Sequence, residues 1–229
     1  MTDLFLVLLW TTATVVVFAA LDHVAQRYGR PPWLHPVLWS VPVLMALLWA
    51  TKTPYITYAA STAMITFLLG PAVVSMAVPI WAQRATIRKL AVPITLALLA
   101  GSTTAIVSAV GIVWAFGAPV QVLASLAPRA ATSPVGMAVA EALGGIPALA
   151  AVIIVFSGVL GAMIATPLLN LMRMKDYRVR GFATGVSAHG VGSARAFQVS
   201  KIAGAYAGLG MALNAVMTTV LLSIFAALI

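Results

Sequence analysis

The sequence predicts an all-α integral membrane protein. Hydrophobic residues make up 62% of the 229 residues and charged residues only 7%, whereas soluble domains carry roughly a quarter charged residues. The apolar residues form runs long enough to cross a bilayer, which takes about 20 residues. The formal net charge of +9 does not indicate nucleic-acid binding, because the basic residues form short clusters between apolar runs, a pattern typical of topology determinants.

The N-terminus and the cysteine content narrow the class further. Residues 1–21 are apolar after Asp3 and lack a basic n-region and a small-residue cleavage site. We therefore expect a first membrane helix rather than a cleaved signal peptide. The chain has no cysteine, which excludes disulfides and thiolate metal sites.

Six runs are long and apolar enough to span a membrane: 4–21, 34–50, 57–80, 91–116, 147–172 and 201–228. Two further segments, 121–143 and 181–199, are apolar but interrupted by glycine, proline and polar residues. We expect one transmembrane domain over residues 1–229 with three parts: N-terminal helices (1–116), a first broken-helix unit (117–172) and a second broken-helix unit (173–229).

Positive charge predicts how the interrupted segments lie. Basic clusters at 27–30, 84–89 and 173–180 mark cytoplasmic loops. A full crossing by 121–143 would place the last cluster outside, whereas a re-entrant 121–143 places every cluster inside. With 181–199 also re-entrant, the sequence predicts six crossings, two re-entrant broken helices, and both termini outside.

The two broken-helix units share one plan, a short broken helix followed by a full span. One crossing per unit gives them opposite orientations, so an inverted repeat is predicted. Transporters with inverted repeats place their substrate sites at the tips of discontinuous helices. Residue identities between the two units are close to the level expected from composition alone.

Polar residues inside the second interrupted segment are the strongest functional signal. His189, Ser193, Arg195 and Asn214 stand among glycines and alanines, and polar groups at membrane depth usually have a function. Nearby glycines, Gly190 and Gly192, favour unwound backbone. On such backbone Ser193 and Arg195 point the same way, and a guanidinium fork suits a carboxylate. The alternative is an Arg195 that snorkels to the cytoplasmic face.

The first interrupted segment offers a helix start. Ser133 before Pro134 predicts a capped helix N-terminus, and the free N–H groups from Thr132 to Gly136 form a natural carboxylate site. We expect a small carboxylate to bridge this helix start and Arg195, with Asn214 close by. The alternative is a cap that serves structure alone.

Two titratable residues are candidates for proton coupling. His189 carries the side chain that titrates near neutrality; the alternative is a packing donor to a carbonyl. Glu141 pairs with Arg195 or Arg129, or carries a proton; the alternative is an interfacial carboxylate. No nucleotide, catalytic or metal-ligand spacing occurs. The one argument for an enzyme is a possible Ser193–His189 pair, and it is weak. We expect the protein to be no enzyme and to have no metal or cofactor.

Several motifs resemble those of one family. Arg180 to Ala196 reads Arg-Gly-Phe-Ala-Thr-Gly-Val-Ser-Ala-His-Gly-Val-Gly-Ser-Ala-Arg-Ala, and Leu126 to Pro147 opens Leu-Ala-Pro-Arg and ends Gly-Gly-Ile-Pro. With Leu213-Asn214, these motifs make the chain similar to the LrgB/CidB family of antiholin-like and holin-like membrane proteins. Arg129 stands where lysine is usual in that family, and Gln198, Ser200 and Lys201 replace common acidic residues.

The resemblance implies two competing functions. One is transport of small monocarboxylates such as glycolate, glycerate or pyruvate, in some cases with a small LrgA/CidA-type membrane subunit. The other is holin-like or antiholin-like regulation of murein hydrolase activity and lysis. Broken helices with a His, an Arg and an Asn favour transport, coupled to protons. We expect a multi-pass protein of the inner membrane bilayer, and a homo-oligomer stays open.

Overall fold

The computed structural model describes residues 4–227 apart from 30, 35, 69, 70, 72, 73, 75, 76 and 83. All regular secondary structure in these residues is helical, which confirms the all-α class. The chain divides into two compact units, Met1–Val74 and Ser75–Ile229. Arg30, from the basic cluster predicted to be cytoplasmic, and parts of the predicted span 57–80 lie outside the described residues.

The described residues of the first unit form four α-helices and a short 3₁₀ turn. Buried Trp10 packs edge-on against the ring of Tyr58 at 5.6 Å, and the Thr14 hydroxyl lies 3.1 Å from the Tyr58 hydroxyl. These contacts join the first helix to the third. The elements are α1 (Leu4–Arg27), the 3₁₀ turn (Pro32–Leu34), α2 (Pro36–Ala50), α3 (Tyr55–Ser61) and α4 (Ala63–Phe67).

The predicted span 57–80 is not one continuous helix. The chain leaves helical geometry at Thr62, with φ −98° and ψ 12°. Ser61 and Thr62 both donate their hydroxyls to the carbonyl four residues earlier, at 2.8 and 2.9 Å, and such bonds bend helices. The predicted span 34–50 is a 15-residue helix, bent by 117° relative to α3.

The second unit contains the long helices that surround the site. Four helices of the described chain are long and apolar enough to cross a membrane, and the bent α2–α3 pair is a possible fifth. The protein is therefore a multi-pass membrane protein. The helices in the described part of this unit are α5 (Ala77–Ala82), α6 (Arg84–Lys89), α7 (Ala91–Ala115), α8 (Val120–Leu126), α9 (Ser133–Ala142), α10 (Pro147–Leu171), α11 (Tyr177–Val199) and α12 (Lys201–Ala227).

Helix α11 folds back on itself. Its backbone is non-helical at Ala188 and at His189. Tyr177 and Val199 line the same small cavity, although a straight helix would hold them about 33 Å apart. The two halves, 177–187 and 190–199, therefore form a hairpin whose tip is at His189. We call it the second hairpin.

Helices α8 and α9 form a similar hairpin, the first hairpin, whose tip is the non-helical segment 127–132. The Ile146 N–H donates to the Ser125 hydroxyl at 2.7 Å, so the chain returns beside α8 just before α10 begins. Gly145 lies against the backbone of residues 124–125 with no room for a Cβ. Both predicted interruptions are confirmed as breaks in the helical backbone.

Small residues let the second hairpin approach α12 closely. A Cβ on Gly181 would collide with the carbonyl of Ala203, and a Cβ on Gly185 would collide with that of Ala207. Such backbone contact is a common way for helices to associate in membranes, where there is no hydrophobic drive between them.

Candidate functional site

The tips of the two hairpins meet at the middle of α10. Ser157 donates its hydroxyl to the carbonyl of Arg129, in the first tip, at 3.3 Å. One turn earlier, the carbonyl of Ile154 lies 2.9 Å from His189 Nε2, in the second tip. Helix α9 ends at Ala142, five residues before α10 begins at Pro147, so the base of the first hairpin lies near the start of α10. The base of the second hairpin lines a cavity together with Leu169, which is near the end of α10. The hairpins therefore enter the unit from opposite ends.

Asn214 connects both tips. It is fully buried and is the middle residue of the 27-residue helix α12. Its Nδ2 donates to the carbonyls of Ala130 at 2.8 Å and Val186 at 3.1 Å. Its Oδ1 accepts from the hydroxyl of Ser102, in the middle of α7, at 2.7 Å. In this conformation Asn214 joins α7, α12 and both hairpins.

His189 has a constrained backbone and a confined ring. Its φ of 38° is rare for a residue with a side chain and costs roughly 1–3 kcal/mol. The imidazole is 3% exposed and lies against Gly158, where a Cβ would collide with the ring. A carbonyl only accepts hydrogen bonds, so the 2.9 Å contact with Ile154 requires a hydrogen on Nε2.

The start of α9 differs by one residue from the predicted cap. Thr132 is the N-cap and Ser133 is the first helical residue, and no side chain caps the helix. The Thr132 hydroxyl oxygen is buried and has no hydrogen-bond partner in the described chain. Gly136 lies against Ile154, with no room for a Cβ, so the helix start is close to the contact with His189.

Ser193 and Arg195 lie on regular helix rather than on unwound backbone. The break falls at 188–189 and not at the two glycines, Gly190 and Gly192. Because residues two apart on a helix do not share a face, the two side chains diverge. Ser193 approaches the sulfur of Met211 at 3.9 Å. Arg195 donates to Gln198 at 3.0 Å and lines the small cavity that also contains Tyr177.

Glu141 is exposed on α9. Among the described residues, no cation lies within ion-pair distance of it, so the structure does not bring it together with Arg129 or Arg195. The site therefore contains His189, Asn214 and the start of α9, while Arg195 and Glu141 lie apart from it.

A groove of about 860 Å³ runs along the second unit between α7 and the first half of α11. It extends from Leu90 to Ser108 on α7, about 27 Å of helix. Arg129 lines it from the tip of the first hairpin, and most of the other lining residues are apolar. From the sequence, Arg129 is a possible partner for Glu141 and a replacement for the lysine usual in the similar family, but it is not predicted as a site residue. Its place between the two halves of an interrupted helix is the signal that could have singled it out.

An ion pair stands at one end of this groove. Arg178 Nη2 lies 2.7 Å from Asp176 Oδ2 at the start of α11. The side-chain hydrogen bond from Arg178, followed by the bond from its backbone N–H, lowers the pKa of Asp176 below its ordinary value. Asp176 is therefore ionised at neutral pH and its charge is already matched.

The fold and the site define an all-helical, multi-pass membrane protein with two interrupted hairpins joined at a buried asparagine. Comparison with known families assigns it more closely. A model of the LrgB-like family matches residues 14–228. The chain belongs to the LrgB-like family, as its motifs predicted.

Named relatives match over most of their length. YwbG of Bacillus subtilis (strain 168) is 34% identical over 90% of this chain and 91% of the relative. YxaC of the same organism is 30% identical over 89% and 88%. The holin-like protein CidB of Staphylococcus aureus (strain Mu50 / ATCC 700699) is 28% identical over 98% and 97%. No solved structure matches the chain.

Proposed function

We propose that this protein transports small monocarboxylates of the glycolate, glycerate and pyruvate class. The observation that carries the proposal is the meeting of two interrupted hairpins at a polar centre halfway along α10. Helix breaks at membrane depth expose backbone polar groups, which is tolerated only where protein or a water-filled cavity surrounds them. Transporters use such breaks for substrate sites, whereas a lytic pore does not need them.

The second unit supports the proposed re-entrant topology. Leu90 and Asp176 line the same groove, so α7 and α11 begin at one end of the unit, which we call the basic end. Both starts follow basic clusters, at 84–89 and 173–175, as expected for a cytoplasmic side. Helix α7 leaves this end and α10 returns to it, so residues 116–146 begin and end at the other end.

The same geometry supports an inverted repeat. Each hairpin is followed by a long helix, α10 after the first and α12 after the second, and the two hairpins enter from opposite ends. Three proposed crossings, 4–21, 34–50 and 57–80, precede α7. Together with α7, α10 and α12 they give six crossings in total, with both termini outside. This arrangement belongs to one transmembrane domain of the inner membrane, divided at 116/117 and 172/173.

The predicted site residues remain part of the proposal. We assign substrate contacts to the start of α9 and to residues around the second tip, and proton coupling to His189 and Glu141. His189 is the better placed of these two, because its ring lies between the hairpin tip and α10. The proposed substrate-contact residues at the two tips are Thr132, Ser133, Gly136, Gly190, Gly192, Ser193 and Asn214. Arg195, which the sequence also predicts as a contact, faces a small cavity apart from the tips.

A second candidate function comes from the relatives. Several are named holin-like protein CidB, which favours regulation of murein hydrolase activity and lysis. A small LrgA/CidA-type membrane subunit is a proposed partner under either function, and no nucleic acid is expected. A holin-like pore would pass large solutes without selecting for a carboxylate.

Uptake by proteoliposomes separates the two functions. Purified protein is reconstituted with and without the small subunit, and labelled pyruvate, glycolate and glycerate are offered at several pH values, with protein-free liposomes as the control. Saturable uptake that unlabelled carboxylates compete for supports transport. Release of a large trapped dye without saturable uptake would reject transport in favour of a holin-like pore.

A further inference from the structure

We propose that Arg129 binds the carboxylate group of a small anion in the groove, assisted by the hydroxyls of Thr104 and Ser187. The substrate class rests on the proposed function, but anion binding is a separate property and is tested separately. This assignment gives the main charge contact to the first hairpin rather than to Arg195.

The backbone of Arg129 is fixed on both sides. Its N–H donates to the carbonyl of Leu126 at 3.0 Å, and its own carbonyl accepts from Ser157 at 3.3 Å. The flanking residues, Pro128 and Ala130, are buried, and Ala130 is bonded to Asn214. The loop is therefore held firmly while the guanidinium is left to line the groove.

The charge of Arg129 is not matched within the second unit. The acidic residues of that unit are Glu141 and Asp176. Glu141 is exposed without a cation at ion-pair distance, and Asp176 is paired with Arg178. The described residues provide no hydrogen-bond acceptor for the Arg129 side chain. A guanidinium at this depth is costly without a counter-charge, and a carboxylate would supply both the charge and the bidentate acceptor.

Two hydroxyls lie at the same level of the groove. Asn214 ties Ala130 to Ser102, which sets the first tip beside the middle of α7. Thr104 lies one turn after Gly101, which packs against Val186; it is exposed and lines the groove, and its hydroxyl has no partner in the described chain. Ser187, next to the tip of the second hairpin, lines the opposite wall. Its hydroxyl donates to the carbonyl of Ala183 at 2.8 Å, and a bound carboxylate would replace that acceptor. Hydroxyls donate readily to a carboxylate.

The surroundings of Arg195 are too small for the same task. The cavity that it lines measures about 20 Å³, which has room for about one water but not for a two- or three-carbon acid. The cavity also contains Arg180, a second cation. The groove, at about 860 Å³, readily admits a two- or three-carbon acid.

Binding is tested through a cysteine placed in the groove, because the chain has none of its own. Ala100 is exposed and lines the groove, whereas its neighbour Leu99 is 38% exposed and does not line it. The rate at which a water-soluble maleimide labels Ala100→Cys is measured with increasing pyruvate, glycolate or glycerate. The matched control is Leu99→Cys.

We expect carboxylates to slow the labelling of Ala100→Cys and to leave Leu99→Cys unchanged. In the Ala100→Cys background, Arg129→Lys should raise the half-protecting concentration about tenfold, since it keeps the charge but loses the fork. Arg129→Gln should raise it about 100-fold or more. The exposed cation Arg88 serves as a charge control, and Arg88→Gln should protect like the parent protein.

Several outcomes would overturn the anion site: no protection by any of the three acids, or the same half-protecting concentration in a folded Arg129 variant. Arg129→Lys keeps the test decisive if Arg129→Gln does not fold. The two proposals are separable. Protection without uptake would reject transport and leave the anion site, whereas uptake with an unchanged KM in Arg129→Gln would reject the site and leave transport.

Discussion

Replacing Asn214 by alanine should strongly destabilise the protein, because one side chain makes three buried hydrogen bonds. The variant leaves the Ser102 hydroxyl and the carbonyls of Ala130 and Val186 without a partner. Hydrogen bonds between membrane helices contribute on average about 0.6 kcal/mol and at most about 1.7. Three of them give a loss of roughly 2–5 kcal/mol in the free energy of unfolding.

The assay is equilibrium unfolding in mixed detergent micelles, titrated with SDS. Thr218 provides a matched control, since it lies one turn away on α12, is equally buried, and its hydroxyl has no partner in the described chain. Thr218→Val should therefore change the free energy of unfolding little. Ser102→Ala, which removes one of the three bonds, should cost about 0.6–1.7 kcal/mol.

A variant that keeps the size of the side chain but changes its charge gives a second test. Asn214→Asp keeps the size of the side chain, but an ionised carboxylate would face two carbonyls that need donors, so it should be at least as harmful as Asn214→Ala. If Asn214→Ala unfolds at the same SDS fraction as the parent protein, the asparagine does not join the hairpins. Equal losses for Asn214→Ala and Thr218→Val would likewise refute the reasoning.

Three further predictions follow from the hairpins. Gly185→Ala should lower the SDS midpoint strongly because its Cβ meets the Ala207 carbonyl, whereas Gly208→Ala, with nothing within 4 Å, should not; equal midpoints would contradict the close contact. His189→Gln should flatten the pH dependence of uptake between about pH 5 and 8, and an unchanged profile in an active variant would reject proton coupling. Lys175→Cys should react only from inside; labelling from outside would reject the topology.

The positions of the breaks show what the sequence could predict. The interruptions in 121–143 and 181–199 follow from glycine, proline and polar residues within apolar runs, and both are present. The second break was expected at Gly190 and Gly192 but falls at Ala188 and His189. The amide that donates to the carbonyl of Val186 is 28 residues away on α12. Local sequence does not encode such a distant partner.

The cation at the site could not be chosen from the sequence for a similar reason. Arg195 and Arg129 both stand inside interrupted segments, and spacing along the chain favoured Arg195 because Ser193 is near it. In the structure the hairpins bring distant segments together, and Arg129 faces the large groove while Arg195 faces a small cavity. In the predicted span 57–80 the helix is interrupted at Thr62, where hydroxyl bonds at Ser61 and Thr62 bend the backbone, and the apolar composition of the run does not predict the position of this bend.

The groove also predicts the side from which its site is reached. It contains Leu90 and Asp176, at the basic end, and extends past the middle of α7. The bonds of Asn214 to Ser102 and Ala130 join α7 to the first tip at mid-depth, and the charged lining residues Asp176 and Arg178 lie at the basic end of the groove. A membrane-impermeant maleimide should therefore label Ala100→Cys from the same side as Lys175→Cys and not from the other. If Ala100→Cys reacts only from the side opposite to Lys175→Cys, the groove does not open at the basic end, and transport would need a different path to Arg129.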